Sequence, residues 1–459
     1  MLRPYQHDIV DHIINTPRGS VWASMGSGKT LATLTAIQNL KAAGQEVLPV
    51  LVVAPLRVAN SVWMQEAQKW PSTQDLRVVR ITGTPRQRQQ ALSTPADIYT
   101  INFEGLPWLS NQLTSEWPFR MVVVDEASRL KGFRTRGGSK RCMALAKRVW
   151  DKTERFVSLT GTPAPNGLLD LWGQQWFIDR GFRLGKTFTA FRDRWFRARR
   201  VGQSQFAVEY RPLPNADAEI RERIAMDTLT VDIADYMPID EPIRNVLQVA
   251  LPDRAQQAYG EMEEKMFLDL KTGAAEAVNA ASLTSKCHQI ANGALYLDEQ
   301  DGAFEVVHDA KLDVLESVIE EAAGEPVLVA YHFKSDLARL KARFPQGLEL
   351  THSSTLIAKW NDGDVPLMFV HPQSAGHGLN LAQGGHILAF FSVDWNLEYH
   401  LQVIERIGPA RQAQLGAGKA CLLYYLVAQG TVDELIMQRL QDKRSVQDVL
   451  TEAMKRRTK

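Results

Sequence analysis

The chain has 459 residues, and 53 Lys+Arg stand against 52 Asp+Glu, a formal net charge of +1. That length holds two or three domains with proper cores, and the balanced charge neither demands nor excludes a nucleic-acid partner, which meets only one face. Three scattered cysteines (Cys142, Cys287, Cys421) without a CxxC pair argue against disulfides and zinc, and no apolar run or signal-peptide core points to a membrane.

The first informative stretch is the short apolar strand "GSVWA" followed by "SMGSGKT" (24–30). The helix "LATLTAIQNLKAAG" comes next, with Leu31, Leu34, Ile37 and Leu40 on one side. A glycine-rich turn from strand to helix leaves backbone N–H groups unshielded where the helix dipole favours an anion. Lys29 can then reach the outer phosphates of a nucleotide, and the Thr30 hydroxyl can ligate magnesium. The strict pattern wants one more glycine where Ala23 stands, so the stretch alone is compatible with a chance turn.

Further on, "MVVVDEASRLK" reads as a strand that delivers Asp125 and Glu126 at its C-terminal end, where open α/β sheets bind ligands. Paired acids there suit phosphoryl transfer, with Asp125 holding magnesium and Glu126 deprotonating the attacking water. "SLTGTPAPN" (158–166) is either a plain turn or a loop whose Thr160 and Thr162 sense the nucleotide.

Short continuous apolar runs suit strands buried on both faces of a parallel sheet. One set comprises "SVWA", "VLVVAP", "MVVVDE" and "FVSLTGTP", and a second comprises "VLVAYHF", "LMFVHP", "HILAFFSV" and "CLLYYLV". The fold class is therefore α/β, with domains over 1–165 and 306–459 and a mainly helical, arginine- and aromatic-rich stretch over 166–305.

In this order the motifs resemble a superfamily 2 helicase-type ATPase of the Snf2-like group. "LRPYQ" (2–6) is similar to its adenine-reading segment, with Gln6 as the base contact, and "VVAPLRVANSVWMQEAQKW" (52–70) to its motif Ia. "LLDLWGQQWFIDRGFRLGKTFTAFRDRWF" (168–196) resembles a segment diagnostic of the group. "LTSKCHQIANGALYL" (283–297), "HDAKLDVLESVI" (308–319), "SAGHGLNL" (374–381), "VDWNLEYHLQVIERIGPARQ" (393–412) and "YYLVAQGTVDELI" (424–436) follow in type and order.

The resemblance implies two RecA-like domains that bind ATP and Mg2+ in their cleft and DNA, mostly duplex, across the top. The nucleotide contacts are then Gln6, Ser24, Met25, Gly26, Ser27, Gly28, Lys29 and Thr30, with Thr30 and Asp125 on the metal. Arg57, Thr100, Arg129, Lys131, Thr160, Thr162 and Asn380 are the implied DNA contacts. A monomeric motor in a bacterial or phage-infected cytoplasm fits this reading, since so compact a chain resembles phage-encoded members of the group.

Three departures stand out. Ser128 replaces a usual histidine, and His377 a usual glycine. The motif that normally ends "RIGQ" ends "RIGP", so either Arg406 or Arg411 is the finger that answers charge on the transferred phosphate. Arg406 is favoured, because Pro409 breaks the helix before Arg411. Two basic islands, 129–141 and 191–200, add positive charge; the second is as well explained by a solvated face. Duplex translocation is the leading activity, beside strand separation or a nucleotide-gated DNA-binding module with weak hydrolysis.

Overall fold

The structure is a computed structural model that describes residues 2–442, apart from 25, 115, 151, 201–207, 237–238, 273–276, 298–301, 352, 375–378 and 417–418. Met25 and His377 lie outside the described residues. Two compact units divide the chain, one covering Met1–Val201 and Phe206–Pro238, the other taking up the chain from Ile239.

The first unit carries a seven-stranded sheet. Its strands in chain order are β1 (Arg18–Ala23), β2 (Val50–Ala54), β3 (Val78–Arg80), β4 (Ile98–Asn102), β5 (Met121–Asp125) and β6 (Arg155–Thr160). A hairpin of β7 (Phe196–Arg200) and β8 (Val208–Pro212) follows, and then β9 (Thr228–Val231) joins the sheet. The sheet order is β3-β4-β2-β5-β6-β1-β9, and every neighbouring pair is parallel. Val50–Ala54 and Met121–Val124 are buried throughout, as helices on both faces of a parallel sheet require.

The second unit repeats the architecture with β10 (Ile243–Val249), β11 (Ala294–Tyr296), β12 (Phe304–Val306), β13 (Val327–Ala330), β14 (Leu348–Glu349), β15 (Leu367–Val370), β16 (Ile387–Phe390) and β17 (Leu422–Ala428). Six of these make a parallel sheet in the order β10-β17-β16-β13-β15-β14, while β11 and β12 pair as a small antiparallel ribbon. The two sets of apolar runs in the sequence thus become two separate parallel sheets. The stretch 166–305 is mostly helical, but it is shared: β9 completes the first sheet and β10 edges the second. Both strands are partly exposed and lack a continuous apolar run, so composition hid them.

Cys142, Cys287 and Cys421 are all buried and unpaired. Burial pushes the Cys287 and Cys421 thiols up to about 12. Among the described residues, no helix is long and apolar enough to cross a membrane.

Candidate functional site

In the first unit β5, β6 and β1 are neighbours, with Asp125 registered on Leu159 and Trp22 on Thr160. The turn after β1, the acids at the end of β5 and the loop after β6 therefore emerge side by side at the C-terminal sheet edge, where ligands of such sheets bind. Chain crossovers bring together residues a hundred positions apart.

The loop after β1 is built on glycines. Gly26 and Gly28 have φ of 81° and 76°, a conformation that side-chain-bearing residues resist. A Cβ on Gly28 would sit 2.1 Å from Gln6 Nε2, so only glycine admits this contact. Gln6 is 6% exposed and is held at both ends: its Oε1 accepts from Arg3 N at 2.8 Å, and its Nε2 donates to Ser27 O at 3.0 Å. It braces the loop through the backbone, a role its motif did not announce.

Helix Lys29–Ala42 starts directly after the loop, with Gly28 as N-cap and no side-chain cap. Lys29 Nζ reaches back to Ala23 O at 2.7 Å and Ser24 O at 3.0 Å, along the inside of the turn. Ser27 Oγ is buried without a hydrogen-bond partner. A concave loop of N–H groups, an ammonium lying across it and an orphaned hydroxyl fit a nucleotide phosphate. Thr30, in the first turn of that helix, is half-buried.

Asp125 ends β5, and its Oδ2 accepts the Trp63 indole N–H at 3.1 Å. Burial holds its carboxyl above the ordinary range, against the pull of Lys29, the indole and the Glu126 amide. An inward, hydrogen-bonded carboxylate beside an ammonium suits a divalent cation. Trp63 was not picked out by sequence reasoning, since 62 residues of chain hide the contact.

Glu126 is one of few non-glycine residues with a left-handed backbone, at φ 62° and ψ 56°. That conformation costs about 1–2 kcal/mol for an L-residue. Such strain persists where the surroundings fix it and clusters at functional sites. Here it turns Glu126 sharply away from the line of β5. Thr160 is 1% exposed and its Oγ1 accepts from Thr162 N at 3.1 Å, while Thr162 Oγ1 is buried without a partner. Ser128, at the position of the missing histidine, is fully buried with an orphaned hydroxyl.

The expected DNA contacts are scattered more widely. Arg57 is half-buried ahead of the turn Val58–Val62. Arg129 lies 5.5 Å from the Phe103 ring centroid, and Lys131 is two residues on, in the same turn Ala127–Gly132. Thr100 departs from expectation: it is 1% exposed on β4 and donates to Ala59 O at 2.6 Å, so it ties strand to turn. The cause is the position of β4 inside the sheet, which buries both of its faces.

In the second unit Asn380 is exposed, and its Oδ1 accepts from Ala382 N at 3.3 Å. Arg406, on helix Leu397–Ile407, also departs from the expected inward-facing finger. It is 2% exposed and donates to Gln402 O and Leu379 O, both at 3.1 Å. Its guanidinium is built into the unit. Arg411, on the following helix Pro409–Leu415, is half-buried with no partner for its Nε; burial lowers its pKa, and Glu405 opposes this.

A buried polar cluster in the same unit was invisible in sequence. Lys311 Nζ lies 2.6 Å from Asp433 Oδ2 and 2.7 Å from Asn292 Oδ1, and neither Lys311 nor Asp433 is exposed. Asn292 donates on to Ser392 Oγ at 2.6 Å. Asn292, Lys311 and Asp433 come from three of the motif segments read above, and Ser392 directly precedes a fourth.

Comparison with known proteins agrees with this geometry. The family model of the SNF2-related domain matches residues 14–291. The p41 protein of Acyrthosiphon pisum secondary endosymbiont phage 1 is 49% identical over 456 residues, covering 99% of each chain. An uncharacterized ATP-dependent helicase of Mycoplasma genitalium, MG018, is 24% identical over 456 residues, covering 95% of this chain and 41% of that one. Longer relatives of this kind share only part of themselves with the chain, which spans 26% to 66% of their length. The Sulfolobus solfataricus SWI2/SNF2 ATPase core in complex with dsDNA aligns with a TM-score of 0.44 and 21% identity, over 98% of this chain and 93% of that one. The family model and the phage relative together show that the chain belongs to the SNF2-related domain family.

Proposed function

We propose that the chain is a DNA-stimulated ATPase that couples hydrolysis to movement along duplex DNA. The observation that carries this reading is the meeting of the glycine loop, Lys29, Asp125 and the strained Glu126 at one sheet edge. Bound ATP supplies the phosphoric anhydride, and magnesium offsets its charge. Lys29 exchanges loop carbonyls for phosphate oxygens, Thr30 and Asp125 hold the metal, and Glu126 accepts the proton of the attacking water. Gln6 steadies the loop through Ser27. Arg411 answers developing charge, while Arg406 maintains its own unit.

In this scheme 1–165 and 306–459 are the motor lobes and 166–305 links them. Arg57, Arg129, Lys131, Thr162 and Asn380 touch the DNA backbone, and the setting is the cytoplasm of a bacterial host. Family membership and motif order support these assignments. The test is ATP turnover without DNA, with single-stranded DNA and with duplex. Strongest stimulation by duplex is the expected result. Equal turnover in all three would overturn the motor reading, and negligible turnover with intact ATP binding would favour a nucleotide-gated module.

A further inference from the structure

We infer that the hairpin β7–β8 of the first unit is a separate contact for the DNA phosphate backbone, outside the motif residues. This rests on the DNA-motor reading. Phe196 is registered on Pro212, Arg197 on Arg211 and Ala198 on Tyr210. Alternation along each strand puts Phe196 and Tyr210 on one face and Arg197, Arg199 and Arg211 on the other. Phe196 is 6% exposed and belongs to the core of the first unit, with Tyr210 packed against it. The arginine face is exposed.

Like charges placed directly opposite each other destabilise a strand pair, yet Arg197 and Arg211 occupy such a pair. Three acids outside the ribbon are committed elsewhere. Asp193 pairs with Arg192 at 2.9 Å, Asp217 with Arg221 at 2.9 Å, and Glu219 accepts the Trp195 indole N–H at 2.9 Å. Arg197, Arg199 and Arg211 thus share this ribbon with one registered acid, Glu209, opposite Arg199. Two side chains apart on one strand face are separated by about 7 Å. That is close to the through-space distance between adjacent phosphates on one DNA strand, whose axial step of about 3.4 Å is combined with the helical rotation. Guanidinium forks on a paired ribbon suit phosphate oxygens, and such contacts position a protein without reading bases.

The test uses the full chain and a fluorescent 30-base-pair duplex, titrated by anisotropy from about 50 to 200 mM salt. Arg197→Ala with Arg199→Ala removes two contacts, so the slope of log affinity against log salt should fall by about 2. Over that range the wild type should lose about tenfold more affinity than the variant. The Arg197→Lys, Arg199→Lys pair keeps the charge and should keep most of the slope, and all three proteins should melt together. Steep wild-type binding matched by the alanine pair would overturn the hairpin contact and leave the motor reading standing. A lysine pair as defective as the alanine pair would also overturn it, because charge would not be the cause. No duplex binding by the wild type would remove both readings. Poly-glutamate serves as the acidic-protein probe, and a loss confined to it would assign the face to an acidic protein and overturn the DNA contact.

Discussion

Arg406→Ala separates a structural arginine from a catalytic one. The wild-type guanidinium is 2% exposed and donates to the carbonyls of Gln402 and Leu379, both at 3.1 Å. It joins helix Leu397–Ile407 to the segment before β16. Hydrogen bonds from charged donors contribute about 1.5–3 kcal/mol each; truncation removes both and strips the Leu379 carbonyl of this donor, while Gln402 O keeps the N–H four residues on in its helix. A net loss of about 3 kcal/mol follows, allowing for partial relaxation. In a unit of this size that lowers the melting midpoint by about 6–12 °C. Calorimetry of the full chain reads this directly, followed by DNA-stimulated turnover at 25 °C. Arg411→Ala should melt near wild type yet lose about 10³-fold in rate, the scale of an arginine finger. An Arg406→Ala protein that melts within about 2 °C of wild type, but has lost turnover, would refute the structural role. It would return the finger to Arg406.

Lys29→Ala should abolish turnover at little cost in stability, since its loop partners are two carbonyls beside solvent; melting and steady-state rates check both. Glu126→Gln keeps size and removes the base, so single-turnover hydrolysis should fall about 10²–10⁴-fold while labelled ATP still binds. Asp125→Asn should raise the melting midpoint of the nucleotide-free protein at pH 7, because burial disfavours the charged carboxylate. A carboxyl raised in the folded state destabilises the fold above its pKa, so this gain should shrink as pH falls through that raised value, read by melts across pH. Magnesium-dependent ATP binding should be lost in the same variant. Lys311→Met should cost about 3–5 kcal/mol, because Asp433 would be left buried without its ammonium; denaturant titration reads the loss.

The two sheets were legible because buried parallel strands are written as short continuous apolar runs, and Val50–Ala54 and Leu367–Val370 are fully buried as that pattern requires. The glycine loop was legible because positive φ restricts the residue type at Gly26 and Gly28. Strand β10 was not, since its exposed positions break the apolar run. Side-chain direction was the harder problem. Thr100 and Arg406 sit in the segments expected, yet both point into their own unit, and a motif carries no record of which carbonyl waits nearby. Trp63 with Asp125, and Lys311 with Asp433, are contacts across long stretches of chain that no local periodicity encodes.

These hidden contacts share a logic. Every charged group on the sheet edge that must change partners is checked by something fixed behind it. Asp125 is oriented by the Trp63 indole, the loop under Lys29 is held by Gln6, and Glu126 is turned by its left-handed backbone at the end of β5. In the second unit the Lys311–Asp433 pair ties helix Ala310–Glu321 to helix Val432–Asp442, and Arg406 ties the segment at Leu379 to helix Leu397–Ile407. The proposed DNA motor needs both parts of this arrangement, because binding energy does mechanical work only through bodies that do not deform. The departures at Ser128 and Pro409 fall two residues from Glu126 and three from Arg406 in the chain. Variation there should alter how firmly a unit transmits force before it alters whether ATP is cleaved.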